Sequence, residues 1–264
     1  MRTEKLEHFL YGPVPGKGYS IRAESPAAHV QDYKELCRGF FVPIDPSFLK
    51  DFTHEARMIL SAPNMGYIYF SRIFKGTKLD DKGRSGILSH TVAVPTNFMK
   101  EGLSYYALES ALTDFEKNNG IPNGEMPALN VEWDDESDSD PDTADMQRRI
   151  SKESLKKVIE VLQKGNSRIF LIHKASTFRE RIELSYAISK TVDIKLQVKP
   201  LTIVTEPPLP LILDSVADII ISPRMISLKA NKGWAVIKPF KEGVQEHTPI
   251  DKRKIDNLLD EIFD

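Results

Sequence analysis

The sequence predicts an α+β N-terminal module with an antiparallel sheet, followed by an α/β C-terminal module with a mostly parallel sheet. The first half contains aromatic and β-branched runs between glycine- and proline-containing turns, which is typical of antiparallel strands. The second half alternates helical and strand patterns, which favours a parallel sheet flanked by helices. At 264 residues, the chain also reaches the size at which one hydrophobic core often gives way to two.

Strands dominate the expected N-terminal half. A glycine- and proline-rich turn at Tyr11–Tyr19 precedes an alternating strand at Ser20–Ser25. The aromatic run Gly66–Phe74 predicts a strand, and we expect it to form a hairpin with His90–Val94. Apolar residues at helical spacing then predict a helix over Leu103–Phe115, which ends before Gly120.

Helices and strands alternate in the expected C-terminal half. In chain order, the elements are a helix at Ser151–Lys164, a strand at Arg168–His173, a helix at Phe178–Thr191, strands at Pro200–Val204 and Asp218–Ser222, a closing hairpin of Ile226–Leu228 with Trp234–Ile237, and an amphipathic helix at Lys252–Phe263.

An acidic stretch separates the two halves. Glu132–Asp145 carries eight acidic residues, and only Trp133 and Ala144 in it are apolar. Such a composition buries too little apolar surface to order a segment. The sequence therefore predicts an acidic linker over 132–147, between a module at 1–131 and a module at 148–264.

The overall composition restricts the classes of partner and cofactor. A formal charge of −2 gives no general electrostatic footprint for nucleic acid. The single cysteine, Cys37, fits a reducing cytoplasm, and no apolar run is long enough to span a membrane. The six histidines lack zinc-ligand spacing, and no complete phosphate-binding loop is present. We therefore expect a cytoplasmic protein without a metal or cofactor.

A basic, glycine-containing turn that leads into a strand carries the main candidate chemistry. His90 follows Arg84, and Asp80 and Asp81 precede them both. An imidazole can transfer protons near neutral pH, and an arginine can stabilise a developing anion. The structural alternative places the two acids in a solvated turn and His90 in a hydrogen bond to a neighbouring strand. No nucleophile at a recognised spacing accompanies the histidine, which favours this structural alternative.

Motifs of the N-terminal half carry a resemblance to a known family. Tyr11-Gly12, Gly18–Pro26, Gly83-Arg84-Ser85-Gly86 and Ser89–Pro95 together resemble the N-terminal domain of prokaryotic GTPase-associated proteins. The second half is similar in layout to a DENN module, a type that usually follows a longin-type α+β domain.

Both resemblances imply the same class of partner, a small Ras-like GTPase. The protein would then be a cytosolic regulator or adaptor that is either non-catalytic or acts as an exchange factor or activator. Such proteins bind two GTPase states differently and need a surface rather than a catalytic dyad. The residues expected at that surface are Tyr19, Arg22, Asp80, Asp81, Arg84 and His90.

Two other functions stay open at this point. A hydrolase or nucleotide-processing enzyme would use His90 and Arg84 with carboxylates from other segments, and would gather them in a concave pocket. A regulator would instead present Arg84 on a broad exposed face. A scaffold protein would dock basic partners on Glu132–Asp145.

Overall fold

The computed structural model describes ten segments of the chain. These are residues 2–28, 55–62, 66–76, 85–133, 149–163, 168–173, 177–190, 201–205, 217–223 and 234–237.

Strands predominate over helices in these segments. The strands are β1 (Arg2–Val14), β2 (Gly18–Glu24), β3 (Ala56–Ala62), β4 (Tyr67–Gly76), β5 (Gly86–Pro95), β6 (Gly124–Glu125), β7 (Leu129–Trp133), β8 (Arg168–Ile172), β9 (Leu201–Thr205), β10 (Ile219–Ser222) and β11 (Trp234–Ile237). The helices are α1 (Thr96–Lys100), α2 (Tyr105–Asn119), α3 (Lys152–Gln163) and α4 (Phe178–Ile188).

The described strands form one mixed sheet. Its spatial order is β11-β8-β10-β9-β3-β4-β5-β1-β2-β6, and β7 pairs with the first half of β1. The four strands from β11 to β9 run parallel to one another. From β9 to β2 every neighbouring pair is antiparallel. The sheet is therefore mostly antiparallel, with a parallel end built by the C-terminal half of the chain.

The expected fold class, an antiparallel sheet followed by a separate and mostly parallel sheet, is therefore wrong. The finding that overturns it is β3, which pairs antiparallel with β4 on one edge and with β9 on the other. No strand is among the sequence-based expectations for Ala56–Ala62. With β3 in place, the antiparallel and parallel strands share hydrogen bonds across one sheet instead of closing two separate ones.

Most individual elements of the described segments lie where the sequence predicts them. The hairpin of β4 with β5 is confirmed. Both C-terminal helices and strands β8, β9 and β10 are also confirmed within a few residues of their expected bounds. The expected closing hairpin is not tested as a whole, since Ile226–Leu228 lies outside the described residues. Its second strand, β11, pairs parallel with β8.

The predicted acidic linker begins inside a strand. Glu132 and Trp133 are the last two residues of β7, and Trp133 is buried against Phe98. Residues 134–147 lie outside the described residues, as does the expected C-terminal helix at 252–263. The boundaries of the two modules stay a prediction.

Three helices cover the sheet and complete the core. Helix α2 packs on β4, β5 and β7, α3 packs on β8 and β11, and α4 packs on β9 and β10. Ser104 caps the start of α2 by accepting a hydrogen bond from the Ala107 N–H, at 3.1 Å. Thr177 and Glu180 form a capping box at the start of α4. None of the described helices is long and apolar enough to cross a membrane.

If the sheet is one cooperative unit, a cavity at the β3–β9 junction will destabilise the whole protein. Ile203 of β9 is buried opposite Ile59 of β3. We expect Ile203→Ala to lower the free energy of unfolding by about 3 kcal/mol in a single transition, measured by urea denaturation. Thr3→Ala, on an exposed part of β1, is the control. If the variant instead unfolds in two separate urea transitions, and only one of them moves to lower urea concentration, the strands do not form one cooperative sheet.

Candidate functional site

The tight turn between β1 and β2 forms one end of the antiparallel strands. Gly16 and Gly18 both adopt a φ of 73°, in the left-handed region that favours glycine. The Lys17 N–H donates to the Val14 carbonyl at 3.1 Å and closes the turn. Lys17 is exposed at its tip.

The start of β5 lies against this turn. The Ile87 N–H donates to Tyr19 Oη at 3.0 Å, and Tyr11 Oη donates to the Tyr19 carbonyl at 3.2 Å. A Cβ at Gly86 would lie only 2.4 Å from Cγ of Pro13, so this close approach requires glycine. We call this surface, made of Pro13–Tyr19 and Ser85–Ile87, the hairpin end.

Arg22 stabilises the same hairpin from the side. It is half-buried, and its Nη1 donates to the Pro13 carbonyl at 2.6 Å. Burial lowers the pKa of Arg22. Burial also raises the pKa of Tyr19, and the hydrogen bond from the Ile87 N–H offsets part of that rise. Of the expected partner-binding residues, Tyr19 and Arg22 therefore lie at or beside the hairpin end. Asp80, Asp81 and Arg84 lie outside the described residues.

His90 lies elsewhere, in the buried interior beneath α2. The register of β3, β4 and β5 places Arg57, Arg72 and His90 side by side across the sheet. All three side chains are buried, and His90 is only 1% exposed. Charged groups in such a position require compensating partners.

Three carboxylates supply that compensation. Glu116 of α2 accepts from Arg72 Nη1 and pairs with His90 Nδ1, both at 2.8 Å. Glu109, two turns earlier on the same helix, pairs with Arg57 and accepts from Tyr186 Oη of α4 at 3.0 Å. Both arginines also donate to Glu55, which precedes β3. We call these six ionisable residues, the arginines, His90 and the three glutamates, the buried charge network.

Protonation within the network follows from opposing effects of burial and charge. Burial lowers the pKa of Arg57, but the carboxylate of Glu109, the hydroxyl of Tyr186 and the carboxylate of Glu55 outweigh it, and the net shift is upward. For Glu55, burial raises the pKa, while Arg72 and Arg57 lower it more strongly. Both residues are therefore held in their charged forms.

A chain of hydrogen bonds through two histidines fixes where the protons lie. The Pro127 carbonyl can only accept, so His8 Nε2 carries the hydrogen of their 2.7 Å bond. Burial, and then the charge of His90, lower the pKa of His8 to about 4. At neutral pH, His8 Nδ1 therefore has no hydrogen and accepts from His90 Nε2, which lies 2.9 Å away.

Glu116 holds the other ring nitrogen of His90. The distance from His90 Nδ1 to Glu116 Oε1 is 2.8 Å, and the same carboxylate group accepts from Arg72 Nη1. Both ring nitrogens of His90 are therefore engaged in the interior, by His8 and by Glu116, and neither is within reach of a substrate.

Sequence reasoning found His90 but missed the residues that hold it. Arg57 and Arg72 each interrupt an apolar strand, and a charge inside such a run is itself a signal of a buried ion pair. The seven-residue spacing of Glu109 and Glu116 puts both on one helical face and was a second signal. Nothing in the local sequence links His8 to His90, because they are 82 positions apart.

The described part of the chain offers no metal centre. Within it, no three His, Cys, Asp or Glu side chains are placed so that they could hold a metal ion.

No protein-family model matches the chain, and no curated protein matches it significantly.

The lowered pKa of His8 predicts a loss of stability in mild acid. Between pH 6.5 and 4 the unfolded chain binds a proton that folded His8 does not, so the free energy of unfolding falls as the pH falls. This contribution is fully present above pH 6.5, and its loss reaches about 3 kcal/mol near pH 4. Urea denaturation at several pH values measures it.

The matched variant for this prediction is His8→Gln. An amide can donate to the Pro127 carbonyl and accept from His90, but it does not titrate. The stability of the variant should therefore depend less on pH over this range than that of the native protein. Equal pH dependence in the two proteins would refute the assignment to His8.

Removing one carboxylate from the buried charge network should be costly. Glu116→Gln leaves Arg72 and His90 without their shared anion, and we expect the free energy of unfolding to fall by about 3 kcal/mol. Asp114→Asn, the same acid-to-amide change at an exposed position of α2, is the control. Similar stability losses in the two variants, by thermal or urea denaturation, would show that the pairs are weak.

Proposed function

We propose that the protein is a cytoplasmic regulator or adaptor that binds a small Ras-like GTPase through the hairpin end. The observation that carries this proposal is the meeting of two distant motif segments. The turn at 15–18 and the start of β5 at Ser85–Gly86 are far apart in sequence, yet the hydrogen bond from Ile87 to Tyr19 brings them together. Gly18 and Tyr19 belong to the motif Gly18–Pro26, and Ser85-Gly86 ends the motif Gly83–Gly86; both motifs resemble GTPase-associated proteins.

The hairpin end has the physical character of a docking surface. The Tyr19 and Arg22 hydrogen bonds hold its backbone in place, so binding would cost little ordering entropy. Lys17 is exposed at the tip, and Arg84 immediately precedes Ser85 in the sequence. Lys17 gives this rigid edge a positive charge, and Arg84 adjoins it in the sequence, which suits a partner that carries phosphate groups or acidic side chains.

The buried state of His90 weighs against the rival enzyme. An acid–base catalyst must lie within hydrogen-bonding reach of its substrate, and both ring nitrogens of His90 are engaged by His8 and Glu116. We therefore assign His90 to stability rather than to partner binding. The cytoplasmic location rests on the use of a single cysteine, Cys37.

The proposal is tested by recovering partners from the native host with tagged protein. Parallel samples contain excess GDP, a non-hydrolysable GTP analogue or no nucleotide. We expect a small GTPase to be enriched in one nucleotide condition, because a regulator binds the two GTPase states with different affinity. Quantitative mass spectrometry of the recovered proteins is the measurement.

Charge variants locate the binding surface. Lys17→Glu and Arg84→Ala should each reduce the recovery of the GTPase at least threefold, since both remove a cation from the proposed surface. Lys5→Glu, a charge reversal at an exposed position in the first half of β1, is the matched control and should leave recovery unchanged. Failure to recover a GTPase in any condition refutes the function; equal recovery with all variants refutes the surface.

A further inference from the structure

A groove on the surface of the protein is lined by residues of α2 on one side and of β7 on the other. Its volume is about 580 Å³. Helix α2 contributes residues at helical spacing, with the small side chains Ala107 and Ala111 followed by Asp114 and Asn118. Strand β7 and the residues before it form the other wall. Small side chains on the helix leave room for another chain to approach closely.

The lining of the groove is anionic. Asp114 on the helix and Glu132 on the strand are both exposed, and the described lining includes no lysine or arginine. Lys5, which lies opposite Asn130 on β1, is not among the lining residues. The groove therefore favours a cationic occupant.

The strand wall also has hydrogen-bonding capacity to spare. Among the described residues, β7 pairs with β1 alone. Trp133 lines the groove, and its buried Nε1–H has no hydrogen-bond partner within the described part of the chain. An extended peptide presents N–H and carbonyl groups every two residues along each edge and can pair with the edge of β7 that faces away from β1.

The sequence that follows Trp133 is also acidic. Seven acidic residues occur among the twelve residues of Asp134–Asp145. These residues lie outside the described part of the chain, and the charge of the groove itself comes from Asp114 and Glu132. The acidic composition on both sides of Trp133 is consistent with a basic partner.

From these observations we propose that the groove binds an extended, basic segment of a protein partner. The five residues of β7 span roughly 16 Å, enough for about five residues of extended chain. The groove is lined by other residues than the hairpin end, so this inference goes beyond the proposed function. It can be tested without any GTPase.

Fluorescence anisotropy with a synthetic probe tests the proposal. The probe is a labelled ten-residue peptide of alternating lysine and threonine. The control peptide has glutamate in place of each lysine. We expect the lysine peptide to bind and the glutamate peptide not to bind, with affinity falling as salt increases. In Trp234→Phe protein, Trp133 is the only tryptophan, and its indole N–H signal in the NMR spectrum should shift on binding.

Two double variants locate the bound peptide. Asp114→Lys with Glu132→Lys should weaken binding of the lysine peptide at least tenfold. Glu24→Lys with Glu125→Lys changes the same number of charges at exposed positions on the adjacent strands β2 and β6, and should leave binding unchanged. Circular dichroism checks that each variant is folded.

Three results would overturn the inference. One is equal loss of affinity in the two double variants, which would indicate a general charge effect. Another is that the indole N–H signal of Trp133 in the NMR spectrum does not shift when the protein is saturated with the lysine peptide. The last is a loss of binding on replacing the acids of Asp134–Asp145 by their amides, combined with no loss in the Asp114 and Glu132 variant. That result would assign binding to the acidic segment alone.

Discussion

Neutralisation of two buried arginines is the constraint on which the rest of this structure depends. Arg57 and Arg72 lie side by side on β3 and β4, at the strands that join the antiparallel and parallel parts of the sheet. Their charges are tolerated in the interior because Glu55, Glu109 and Glu116 surround them. Two of these carboxylates belong to α2, so the position of that helix on the sheet is tied to the charge balance.

The same network holds the most conspicuous histidine of the sequence. His90 lies beside Arg72 in the row across the sheet, and Glu116 pairs with both side chains. His8 carries the chain of hydrogen bonds onward to the Pro127 carbonyl, at the edge of the groove beside α2. A buried polar network whose members are paired can fix one arrangement of a core, and within the described residues this one leaves Arg72 Nε without a hydrogen-bond partner. Here it sets how helix, sheet and groove wall fit together.

The surfaces available to partners are those that the network leaves free. At the hairpin end, Tyr19 and Gly86 hold two turns against each other and keep the tip exposed. Along the outer side of α2, Asp114 faces the groove while Glu109 and Glu116 of the same helix serve the interior. One helix thus uses its carboxylates for two purposes, according to the face on which each lies.

Most local elements are predictable from the sequence, because short-range patterns dictate them. The aromatic and β-branched runs in β4 and β5, the apolar spacing in α2 and the alternating helices and strands after Ile150 are all readable within ten or fifteen residues. The joining of the strands into one sheet is visible only in the tertiary structure, since β3 pairs with β9 some 140 positions away. It also decided the role of His90, because the partner His8 is supplied by a different strand. Pairing between distant segments depends on the whole fold, and a local pattern does not record it.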